Sequence, residues 1–207
     1  TVEVDNTAPT KTISKNTTIT TDNNLMQNVT INYNEVMDTS YSPFVNFINN
    51  VGAIRNILGS WITNQIWRGT FLVEDADEET TNVSVSSSLA KDIVGNNEGT
   101  SNTTTFQIDT KAPVISNLDN STTDIEINND NDVVISATII EGMSNPISVW
   151  LEGNWTGSVR NYSLSSVTGY YTYTIIHNAS QLYNQEIVSW KYYARDNLGN
   201  IINSSAY

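Results

Sequence analysis

Cysteine is absent from the 207 residues, which excludes a disulfide framework, a thiolate zinc site and a thiol nucleophile. Cations are scarce: nine Lys and Arg stand against 22 Asp and Glu, a formal net charge of −13. With no basic patch to neutralise phosphates, nucleic acid and anionic membranes are not expected partners. No apolar run is long enough to span a bilayer and no signal peptide is present, as expected of a mature, processed chain. The single histidine, His177, ends the apolar stretch TYTIIHN, where a packing role is favoured over a chemical one. There is no Ser/His/Asp set, His pair or Gly-rich phosphate loop. The crowded carboxylates Glu74, Asp75, Asp77, Glu78 and Glu79 read as a charged surface loop, and catalysis is not expected.

What is present is a repeat. The stretch TVEVDNTAP at 1–9 returns as TFQIDTKAP at 105–113, and AKDIVGN at 90–96 returns as ARDNLGN at 194–200. Both pairs are offset by 104 residues (105 − 1 and 194 − 90), so one period carries two motifs without a gap. Each period has the size of one β-sandwich domain. The order within it is a strand ending in Ala-Lys/Arg-Asp, a tight Asp-x-x-Gly-Asn turn, a last strand, then an Asp-x-x-Ala-Pro linker. Tyr207 maps onto Thr103 and Thr1 onto Thr105, so the chain opens with a spare last strand and closes where the second one should begin.

Alternation of apolar and polar residues marks strands throughout. Val29, Ile31 and Tyr33 alternate with Asn28, Thr30, Asn32 and Asn34 within 26–35; Trp67, Phe71 and Val73 mark 66–74; Val83, Val85 and Leu89 mark 82–91; and Phe106 and Ile108 point inward in 103–108. Residues 51–59 have some helical spacing, but their flanking glycines and short length favour a strand or loop. In the second half, 114–118, 132–140, 147–152 and 186–195 read as strands, with 161–167 and 170–177 as a hairpin around Thr168 and Gly169. Short strands, frequent turns and no convincing helix predict an all-β fold of two tandem immunoglobulin-like sandwiches, the second lacking its last strand. The expected division is 1–8 as donor strand and linker, 9–108 as the first domain and 109–207 as the second. Trp61, Trp67, Trp150, Trp155 and Trp190 are expected in core or edge packing.

Asn-x-Ser/Thr sequons occur at Asn16, Asn28, Asn82, Asn102, Asn120, Asn154, Asn161, Asn178 and Asn203. Together they favour a glycosylated extracellular protein. The segment VTINYNEVMDTSYSP at 29–43, with GSW at 59–61, FLVEDADEE at 71–79 and AKDIVGN at 90–96, resembles the Ig-like repeats of bacterial and archaeal adhesins and surface-layer proteins. The second half shares only DTKAP and ARDNLGN with that pattern. The sequon density, the missing cysteine and the split repeat are also similar in architecture to archaeal thread filaments. That resemblance implies glycosylated subunits that polymerise by donor-strand complementation.

The leading expectation is therefore an extracellular structural subunit whose partner is itself, head to tail, with other cells or surfaces as further contacts. Thr1, Val2, Glu3 and Val4 would be the donor strand, and Glu186, Ile187, Val188, Trp190, Tyr192 and Ala194 the acceptor edge of a neighbouring copy. The alternative is a spacer or binding module of a longer adhesin or surface-layer protein. A lectin-like role would need a clustered aromatic face, for which Trp150, Trp155, Tyr170, Tyr171 and Tyr173 are the candidates. No cofactor is expected beyond N-linked glycans and calcium. Asp92, Asn96 and Asp109, with Asp5, Asp196 and Asn200, offer hard oxygen ligands where the turn meets the linker. The competing reading has these Asp residues capping turns through local hydrogen bonds. A Lys–Asn isopeptide bond through Lys91 or Lys191 also stays open.

Overall fold

A computed structural model describes residues 4–48, 54–100, 102–121, 132–145, 147–166, 168–176 and 188–206. The chain divides into two compact units, Thr1–Thr110 and Lys111–Tyr207. The first contains β1 (Lys11–Lys15), β2 (Ile19–Thr21), β3 (Met26–Tyr33), β4 (Phe44–Ile48), β5 (Ile54–Trp61), β6 (Ile66–Leu72), β7 (Glu79–Ser88) and β8 (Thr104–Asp109). The second contains β9 (Val114–Asn120), β10 (Val133–Ile140), β11 (Ser148–Gly153), β12 (Arg160–Leu164), β13 (Tyr170–Ile175), β14 (Trp190–Arg195) and β15 (Ile201–Asn203). Among the described residues there is no helix; the stretch with helical spacing supplies β5 instead.

In the first unit the strands hydrogen-bond in the order β1-β3-β6-β5-β4-β7-β8-β2. β5 is shared between two faces: Ile54–Ile57 pairs with β4 and Leu58–Trp61 with β6. The N-terminal strand also divides, because β1 runs antiparallel on β3 while β2 runs parallel on β8. Alternation sends Val29, Ile31 and Trp67 inward from one face and Val45, Phe47, Val83, Val85, Phe106 and Ile108 from the other, forming one buried cluster. Trp67 lies across the cross-strand pair Gly59 and Gly69, where a Cβ on either residue would overlap its ring. Glycine is needed there because the indole takes the volume of two side chains.

The second unit has a three-stranded sheet, β13-β10-β9, and a four-stranded sheet, β12-β11-β14-β15. Ile135, Ala137, Ile139, Tyr171 and Ile175 from the first meet Val149, Leu151, Tyr192 and Ala194 from the second in another core. Two sheets around one apolar core make this a β-sandwich. Trp67, Trp155 and Trp190 are buried, Trp61 is half-buried against the first core, and Trp150 is half-buried on an outer face.

The expected hairpin at Thr168 and Gly169 does not form. β12 pairs with β11, and β13 pairs with β10 in the other sheet. Gly169, at φ +77°, instead turns a corner between sheets, and its carbonyl accepts from Ile139 N at 2.8 Å. Turn chemistry and alternation are the same for a corner and a hairpin, so only the pairing of β10 and β11 separates them.

Candidate functional site

The repeated Asp-x-x-Gly-Asn turn is built the same way in both units. Asp92 Oδ1 accepts from the backbone N–H of Val94 at 2.9 Å, Gly95 at 2.7 Å and Asn96 at 2.9 Å, and Oδ2 accepts from Asn96 Nδ2 at 2.8 Å. Asp196 Oδ1 accepts from Leu198 at 2.8 Å, Gly199 at 2.6 Å and Asn200 at 2.9 Å, while Oδ2 takes Asn200 Nδ2 and Ser144 Oγ, both at 2.8 Å. The fourth residue is Gly because φ reaches +100° at Gly95 and +103° at Gly199. Burial pushes the Asp92 carboxyl up, but its hydrogen bonds from Asn96, Val94 and Gly95 outweigh burial and hold it below the usual carboxylate range.

Each turn also docks the segment that enters its own unit. Asn96 Nδ2 donates to Asp5 O at 3.1 Å, and Gly99 N donates to Pro9 O at 3.0 Å. In the second unit Asn200 Nδ2 donates to Lys111 O at 3.3 Å. The first-unit clamp therefore fixes where the N-terminal segment leaves the domain. Val4, just before it, is 71% exposed. Thr1, Val2 and Glu3 lie outside the described residues.

Asp92 caps its own turn in this geometry, and of the oxygen ligands considered for calcium, Asp5 and Asn96 stand beside it while Asp109 belongs to a different strand. Asp92 and Asn96 share one turn, whereas Asp109 is buried at the end of β8 opposite Glu79. The carboxylates that approach Asp92 are those of Asp5 and Glu35, with oxygens within 4.8 Å of one another. Burial first, and then repulsion from Asp5 and Asp92, raises the Glu35 carboxyl above its ordinary value.

Along the expected acceptor edge, Glu186 and Ile187 lie outside the described residues, Val188 packs half-buried on the core, and Trp190, Tyr192 and Ala194 are buried. β15 pairs with Tyr193, Ala194 and Arg195 alone. Ser204 extends this cover by one residue: its N–H donates to Tyr192 O at 2.9 Å, and its Oγ accepts from Tyr192 N at 3.1 Å. The C-terminal half of β14 is thus covered from within the chain, which removes Tyr192 and Ala194 from any open edge. A shallow recess follows, lined by Gly153, Asn154, Val159, Trp190, Lys191 and Ala206. Unit 1 differs at the matching place: β8 runs along β7 from Val85 to Glu79 and buries Phe106 and Ile108, each 1% exposed. Beyond β15 the described residues are Ser204, Ser205 and Ala206, none of which brings a large apolar side chain.

Of the sequons, Asn16, Asn82, Asn102, Asn161 and Asn203 are exposed; Asn28, Asn120 and Asn154 are half-buried; Asn178 lies outside the described residues. His177 lies outside them too. The aromatic candidates do not share one face: Trp155 is buried and stacks on Tyr162 at 4.6 Å, Tyr171 is buried, and Tyr170 is exposed. Lys91 sits over the Tyr41 ring at 4.9 Å.

Sequence reasoning missed a buried polar clamp in the first unit. Lys11 Nζ lies 2.7 Å from Glu98 Oε2, with the two side chains 2% and 1% exposed. Lys11 also donates to Ser87 O at 2.9 Å. Glu98 further accepts from Tyr33 Oη at 3.0 Å, Ser87 Oγ at 2.9 Å and Ala90 N at 3.0 Å. Burial, then the Glu98 charge, drives the Tyr33 phenol far above its ordinary value. A signal for this clamp was available: one period on, Lys11 and Glu98 become Ile115 and Ile202, an opposite-charge pair replaced by two apolar residues.

No family model and no curated protein sequence matches the chain. Among solved structures, it is similar to a DUF4785 family protein of Legionella pneumophila at 11% identity and a TM-score of 0.42. The alignment covers 94% of this chain and 54% of that one, so the chain spans about half the length of that protein.

Proposed function

We propose that this protein is a structural subunit of a glycosylated extracellular filament. Its second domain accepts a strand equivalent to Thr1–Val4 from a second copy. The observation that carries the proposal is the contrast between the two cores. In unit 1 the strand after the Asp-x-x-Gly-Asn turn fills the sandwich with Phe106 and Ile108, whereas in unit 2 β15 stops after covering half of β14. The repeat places Val2 and Val4 where Phe106 and Ile108 stand, and Val4 is exposed in its own subunit. The strand order, with β1 on one sheet and β2 parallel to β8 on the other, supports an immunoglobulin-like assignment for the first domain.

Strand addition continues the ladder that β15 begins. Carrying the β7–β8 register forward by one period puts Thr1 opposite Val188 and Val2 opposite Ile187. Burying two valines contributes roughly 3–6 kcal/mol, and each ladder hydrogen bond about 1 kcal/mol. Donor and acceptor belong to different surfaces, so the contact is heterologous and propagates into a fibre. The five sequons exposed among the described residues suit a surface coated with sugar outside the cell.

Electron microscopy of the purified chain beside a variant lacking Thr1–Val4 tests this reading. Fibres from the intact chain that disappear in the truncation are expected. If both proteins stay monomeric, the acceptor reading fails and the spacer or binding module of a longer surface protein takes its place.

A further inference from the structure

The outer face of the four-stranded sheet in unit 2 carries a cross-strand row running Ser163 (β12), Trp150 (β11), Tyr193 (β14) and Asn203 (β15). Trp150 alternates with the buried Val149 and Leu151, and Tyr193 with the buried Tyr192 and Ala194, so both rings stand on the outward face. They are parallel to within 2°, with centroids 5.3 Å apart. Two parallel rings facing one another across neighbouring strands leave one outward ring face at each end of the stack. β14, which carries Tyr193, has Trp150's strand β11 on one side and β15 on the other. The residue opposite Tyr193 there is Asn203, exposed and the first residue of the sequon Asn203-Ser204-Ser205. Directly opposed residues of an antiparallel pair have Cβ atoms roughly 4.5–5.5 Å apart on the same side of the sheet.

We infer that Asn203 carries an N-linked glycan whose first sugar packs its C–H face on Tyr193, at the end of the Trp150–Tyr193 stack. The occupant is specified by position. A sugar bonded to Asn203 Nδ2 starts in the row of the two rings, and a pyranose presents an apolar C–H face suited to an aromatic ring. The row also leaves β15's outer face as the glycan's place, so the sugar and a strand added beyond Ala206 do not compete. The inference uses only the glycosylation part of the function proposed above and not polymerisation.

The full chain is secreted from a eukaryotic host, its glycans are trimmed enzymatically to a single N-acetylglucosamine, and occupancy is mapped by glycopeptide mass spectrometry. The sugar protons at Asn203 are then read by NMR. The expected result is an occupied Asn203 with protons shifted upfield by the ring current relative to the sugar at the exposed Asn82. That shift should be lost in Tyr193→Val and kept in Tyr193→Phe, which retains the ring, with an unchanged dispersed amide spectrum of the valine variant showing that its loss is not misfolding. An occupied Asn203 with unshifted protons overturns the inference. So does a bare Asn203 beside other occupied sequons, an outcome that leaves the filament reading standing. Sugar at none of the nine sequons overturns both the inference and the glycosylated surface.

Discussion

Replacing Lys11 by Met keeps most of the apolar stem and removes only the charge that neutralises Glu98. The carboxylate is then left 1% exposed with three neutral donors: the Tyr33 hydroxyl, the Ser87 hydroxyl and the Ala90 N–H. Breaking a buried pair by deleting one partner costs about 3–5 kcal/mol, because the other charge remains desolvated. For a unit of 110 residues, at about 4 °C per kcal/mol, this lowers the melting temperature by roughly 12–20 °C. Glu98→Gln in the Lys11→Met background preserves an acceptor and the side-chain shape but discharges the site. It should recover most of the loss, giving a coupling of about 2–3 kcal/mol in the double-mutant cycle. Differential scanning calorimetry on the full chain is the assay, with Trp61 and Trp67 as fluorescent reporters of the first unit. A Lys11→Met shift no larger than a surface ion pair gives, about 1 kcal/mol or less, would refute the reasoning. So would Glu98→Gln failing to recover stability.

The two most perturbed phenols predict a loss of stability in alkali. Burial holds Tyr192, whose hydroxyl donates to Ile135 O at 3.0 Å, and Tyr33 well above the ordinary tyrosine value. A folded-state pKa above the unfolded one means that this contribution is intact below about pH 10 and is lost as pH rises further. Tyrosinate absorbance should therefore show both groups ionising only together with unfolding; reversible titration of either in the native protein at the ordinary value would contradict this. Gly69→Ala puts a methyl group into the Trp67 ring and should destabilise the first unit by about 1–3 kcal/mol, while leaving the second unit's melting unchanged. A neutral result by urea denaturation would show that the indole can move aside.

Much of this architecture could be read along the chain because it is local or periodic. The strands follow from period-2 alternation, as in Val29, Ile31 and Tyr33, whose buried faces are those expected. The Asp92 and Asp196 turns follow from residues two to four positions away, which is why their capping role was legible. Beyond that range legibility failed in particular places. Thr168-Gly169 signals a reversal but not whether the chain stays in its sheet. Lys11 and Glu98 look like surface charges until β1 lies against the segment that follows the Asp92 turn, and only then does each become the other's counterion.

The sequence by itself determined the all-β class and the 104-residue period that repeats the Asp-x-x-Gly-Asn turn and the Asp-x-x-Ala-Pro linker. Tertiary structure decided how much of β14 is already covered by β15 and Ser204, and that Trp150 stacks on Tyr193 opposite Asn203. The physical reason is register. Which residues face one another across a sheet depends on how strands far apart in the chain align, and a slip of one residue sends each side chain to the other face.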